Sequence, residues 1–80
     1  MGLYEAAFQP GDRVKIASIE ELQSFRRTWK HHHPLADEQL HYAGRTEKVR
    51  DVGFYHGGDP LYQLEGVPGV WHEACLRGAT

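Results

Sequence analysis

Cysteine is almost missing from this 80-residue chain, with Cys75 standing alone. No intramolecular disulfide can therefore staple the fold, and a reducing compartment, the cytoplasm, is the expected setting. Long apolar runs are missing too. No stretch approaches the roughly 20 apolar residues of a membrane helix, and Met1-Gly2-Leu3-Tyr4-Glu5 lacks the basic start and apolar run of a secretory leader. Membrane insertion and secretion are not expected. Met1-Gly2 opens a myristoylation pattern, but Ala6 stands where that pattern requires Ser or Thr. An excess of one charge is the third absence. Nine Lys and Arg face eleven Asp and Glu, a net charge of −2, and this balance argues against a dedicated duplex-DNA or membrane-surface binder.

Catalytic signatures are also lacking. There is no Gly-x-Ser-x-Gly, Gly57-Gly58-Asp59-Pro60 lacks the Lys-Ser/Thr of a phosphate loop, and the carboxylates form no distinctive pair. A chain this short also has little room for a ligand pocket of about 300 Å³ or more. An enzyme is therefore not expected, and no cofactor is implied.

What is present reads as one small, mainly β domain over residues 1–80, with a helical insertion at about 18–43. Leu3, Tyr4 and Phe8 precede the tight-turn signal Pro10-Gly11-Asp12. In Arg13-Val14-Lys15-Ile16 polar and apolar residues alternate, predicting a strand with Val14 and Ile16 buried. Ser18 and Glu21 have the spacing of a capping box. The helix that follows carries Ile19, Leu22, Phe25 and Trp29 at steps of three, three and four as a core-facing stripe, with Arg26 inside that arc and its guanidinium reaching outward. Pro34 disfavours helical angles at His33, so the helix should fail near residues 30–33.

Residues 37–43 can form one or two helical turns with Leu40 and Ala43 inward, ended by Gly44 in the left-handed region. From Arg45 to Tyr55 the chain is β-prone, but Val49 has the opposite parity to Val52 and Phe54. A bulge near Arg50-Asp51 reconciles them. Residues 56–60 are the clearest turn, followed by a returning strand with Tyr62 and Leu64 on one face. Gly66-Val67-Pro68-Gly69 reads as another turn, Val70-Trp71-His72 as a short last strand, and Glu73 to Leu76 as a terminal helical turn burying Cys75.

The order of parts carries a resemblance. Gly11-Asp12-Arg13-Val14 opens a strand, a long insertion follows, Gly44-Arg45 leads into the next strand, Pro60-Leu61-Tyr62 lies in another, and Trp71-His72-Glu73-Ala74-Cys75-Leu76 closes the chain. This pattern, over about residues 8–77, resembles the SH3-like barrel of the C-terminal region of the nitrile hydratase β subunit, and small stand-alone bacterial and phage proteins of that pattern. The resemblance implies a five-stranded, strongly bent barrel with the helix inserted after strand one. It implies no catalytic residue, because in nitrile hydratases the metal-binding cysteine motif belongs to the partner α subunit.

Interface chemistry is the remaining signal. Arg26, Arg27 and Trp29, with Tyr55 and Trp71, are of the residue types enriched at interfaces, and Lys30 adds to the basic segment beside them. They predict a non-catalytic protein-interaction or accessory module that binds another protein or itself. The basic, aromatic segment 26–33 alternatively predicts single-stranded nucleic-acid binding, and the resemblance a third role, as accessory subunit of a nitrile-hydratase-like metalloenzyme. His31, His33, His72 and Cys75 are candidate metal ligands by type. Paired cysteines, the usual mark of a structural zinc site, are absent.

Overall fold

A computed structural model describes residues 6–29, 34–55 and 58–79. Alternation in Arg13–Ile16 produces β1, with Val14 and Ile16 fully buried. Helix α1, Ile19–Thr28, begins in the predicted capping box: Ser18 Oγ accepts from the Glu21 backbone N–H at 3.2 Å, and Glu21 Oε1 accepts from the Ser18 N–H at 3.2 Å. A 3-10 helix, Asp37–Tyr42, completes the insertion, and Gly44 follows at φ 78°. Four further strands are β2, Thr46–Phe54, β3, Pro60–Leu64, β4, Val67–His72, and β5, Leu76–Gly78. A single 3-10 turn, Glu73–Cys75, joins β4 to β5.

The five strands form one antiparallel sheet in the order β4-β3-β2-β1-β5, so β4 and β5 are its edges. The predicted bulge is present. Val49 pairs with Leu64 and Asp51 with Gln63, leaving Arg50 as the extra residue. This lets Val49 and Val52 both turn inward although their parity differs. Trp71, Tyr62, Leu22, Leu64, Val14, Ile16 and Val49 make the fully buried centre, each worth about 1.5–3 kcal/mol for an aliphatic or phenyl-sized side chain removed from water. Trp71 Nε1 lies in this core with no hydrogen-bond partner among the described residues.

The structure departs from the sequence reading in several places. Helix α1 ends at Thr28, before residues 30–33, with Trp29 already extended and its N–H donating to Phe25 O. Ile19 is 40% exposed rather than part of the core stripe, and Leu22 is the α1 residue that is buried. Residues 67–69 belong to β4, not to a turn; the reversal is at Glu65-Gly66, and Pro68 is tolerated because β4 is an edge. Residues 76–78 form a fifth strand where only a terminal turn was read.

Gln39 was not expected in the interior, yet it is 4% exposed. Its Oε1 accepts from the Ala36 N–H at 2.8 Å and its Nε2 donates to Val70 O at 3.0 Å, tying the 3-10 helix to β4. Leu3, Tyr4 and the turn residues 56–57 lie outside the described residues. Among the described residues no helix is long and apolar enough to cross a membrane.

Candidate functional site

Consecutive side chains on β4 point to opposite sides, and that separates Trp71 from His72. Trp71 enters the core, while the His72 ring lies against α1, with centroids 5.0 Å from Phe25 and 4.8 Å from Trp29. Phe25 and Trp29 are four apart at the end of α1 and stack on each other at 5.4 Å and 15°. Pro60, Asp59, Glu73 and Ala74 complete the walls of a cleft of about 160 Å³ around these rings. The floor is aromatic and two carboxylates stand among the lining residues.

Glu73 is anchored. Its Oε2 accepts from the Tyr62 hydroxyl at 2.7 Å and from the Ala7 N–H at 2.9 Å. Burial, then the Glu73 carboxylate, pushes the Tyr62 phenol up to about 12. The Tyr62 oxygen also accepts from the Phe8 N–H at 3.3 Å, and the Phe8 ring meets Tyr62 edge-on at 5.7 Å, so residues 7–8 are strapped across this end of the sheet.

Burial likewise pushes the Cys75 thiol up to about 11, against smaller opposing effects of Arg77 and the His72 backbone. A thiol held protonated at neutral pH is neither a ready nucleophile nor a ready metal ligand. Glu21 is lowered, first by the Ser18 N–H, then by the Arg77 guanidinium and the Ser18 hydroxyl. Arg77 reaches Glu21 Oε2 at 2.6 Å and so ties β5 to α1.

Among the described residues, those singled out from the sequence for an interface do not form one surface. Trp71 is a correction: it is 0% exposed and packs the core. Trp29 lines the aromatic cleft. Arg26 is drawn onto Asp37 at 2.5 Å and, with Arg27, Gln23 and Leu40, borders a separate shallow depression. Tyr55 borders a third feature, a groove of about 330 Å³ flanked by Phe54, Leu61 and Val70. Lys30, His31 and His33 lie outside the described residues. His72 is packed between rings and Cys75 is buried, and among the described residues no group of three or more His, Cys, Asp or Glu could hold a metal ion.

Sequence reasoning missed Phe25, Pro60 and His72 as cleft residues. The four-residue spacing of Phe25 and Trp29 was visible. The meeting of α1 with the end of β4 and the start of β3 depends on tertiary packing that no local pattern encodes. No protein-family model, curated protein or solved structure matches the chain.

Proposed function

We propose that the chain is a non-catalytic protein-interaction module, an SH3-like barrel whose aromatic cleft takes a side chain from an extended partner segment. Strand order β4-β3-β2-β1-β5, with a single 3-10 turn between β4 and β5, supports the SH3-like reading. The observation that carries the function is the cleft built by Phe25, Trp29, Pro60 and His72. Its 160 Å³ lies below the roughly 300–1,000 Å³ of small-molecule sites, so it suits one inserted side chain rather than a metabolite. Aromatic-lined grooves commonly receive extended, proline-rich segments, whose preformed backbone loses little entropy on binding. Asp59 and Glu73 in the lining favour a basic residue beside the anchor.

The test is an array of fluorophore-labelled, extended proline-rich peptides, with and without a neighbouring Arg or Lys, read by the anisotropy of the peptide label. Binding that raises the anisotropy and is lost in a folded Trp29→Ala variant supports the reading. Failure of every peptide, or binding that Trp29→Ala leaves intact, removes it.

A further inference from the structure

The strand register assembles a basic face that the near-neutral composition conceals. On the outer side of β2-β1-β5, Arg13 stands opposite Lys48 and Lys15 opposite Arg77, with Thr46 also opposite Lys15. All four bases are exposed. They are four of the nine lysines and arginines of a chain with eleven acids. Arg77 alone among them is in an ion pair, with Glu21; Arg13, Lys15 and Lys48 make none among the described residues. Like charges directly opposite on neighbouring strands destabilise a sheet. Here two such pairs stand side by side.

We infer that this face binds the phosphate backbone of a nucleic-acid duplex. Bases two apart on β1 are about 7 Å apart and neighbouring strands about 4.8 Å, so the four charges span about 7 by 10 Å. That array can meet about three or four phosphates, a contact that needs charge and no sequence-specific groups. No aromatic ring stands among these positions, and stacking is what single-strand binders add. No apolar anchor stands there either, and anchors dominate protein interfaces. A duplex backbone satisfies both absences. The site is separate from the aromatic cleft, so either can fail without the other.

The experiment is fluorescence anisotropy of the full chain with a labelled DNA duplex of about 20 base pairs and arbitrary sequence. With three or four phosphates engaged, affinity should fall about 40- to 150-fold between about 50 and about 200 mM salt. Lys48→Glu should weaken binding about tenfold or more; it turns the opposition to Arg13 into attraction but sets a second acid opposite Glu65, whose N–H donates to Lys48 O, so thermal melting serves only to show that the variant is folded. Lys15→Gln and Ser24→Glu change net charge equally; only the first should weaken binding, since Ser24 is on α1. No binding at about 50 mM salt, equal loss in those two variants, or parent-like binding by folded Lys48→Glu overturns the inference. Tighter binding of poly-glutamate than of duplex also overturns it, and assigns the face to acidic proteins.

Discussion

The Tyr62 hydroxyl and the Ala7 N–H converge on a single oxygen, Glu73 Oε2, at 2.7 and 2.9 Å. One carboxylate therefore links the centre of β3, the turn before β5 and the N-terminal segment. Its position is fixed by packing and by charge-assisted hydrogen bonds, which are stronger than neutral ones.

Tyr62→Phe removes the donor to Glu73 and the acceptor for the Phe8 N–H while keeping the ring. Stability should fall by about 1–3 kcal/mol in urea denaturation. Amide exchange at Ala7 and Phe8 should accelerate more than exchange at β1, because the strap is released before the sheet opens. Unchanged protection at both residues would show that the Phe8 ring alone holds the segment.

Alkaline pH should destabilise the fold. Cys75, at about 11 against 9.0, and Tyr62, at about 12 against 10.0, both hold their protons more tightly in the folded chain. Above pH 9 the unfolded chain sheds these protons first, so the contribution is complete below pH 9 and drains away as pH climbs through 11 and 12. Melting temperatures across that range should decline, and Cys75→Ala should flatten the lower part of the decline although it lowers stability overall. Identical slopes in parent and variant would contradict the Cys75 assignment.

Cys75 should also be chemically silent while folded. It is 1% exposed and its thiol is protonated at neutral pH. Reaction with a disulfide reagent at pH 8 should proceed no faster than the chain opens, and should become immediate in denaturant. Rapid labelling of the native protein would refute the buried placement.

Gly69 and Gln39 should be energetically coupled. A Cβ on Gly69 would come within 2.7 Å of Gln39 Nε2, and Gly69 has φ 90°. Gly69→Ala should cost more than about 1 kcal/mol through backbone strain and collision together. Gln39→Ala should cost about 1–3 kcal/mol by leaving Val70 O and the Ala36 N–H unanswered. In the double variant the collision vanishes and the backbone strain stays, so the combined loss should be smaller than the two added. Simple additivity in urea denaturation would show no contact between the two positions.

Local chemistry was legible and long-range geometry was not. Ser18 and Glu21 define their cap within four residues, Gly44 takes the left-handed angle its position required, and the parity conflict of Val49 and Val52 located the bulge. Each signal is complete within a short stretch of chain. Ile19 fits the helical stripe as well as Leu22 does, but tertiary packing buries only the second. Gln39 is polar by composition and interior because Val70 and Ala36 happen to flank it in space. Of the interface residues, Trp29 reaches the cleft, whereas Trp71 is taken into the core by the alternation that turns its neighbour His72 toward α1. The basic face was hidden for the same reason, since charge totals carry no information about which strands lie side by side.

The Gln39 bridge also bears on how molecules of this protein behave toward each other. A sheet edge is a template on which another chain can grow as a further strand, and natural proteins obstruct such edges. On β4 three successive positions are obstructed: Pro68 has no N–H, Gly69 is pressed against Gln39, and the Val70 carbonyl is already taken. Strand-by-strand polymerisation is therefore blocked along this stretch of β4, and a concentrated solution of the folded protein has one fewer route to fibres.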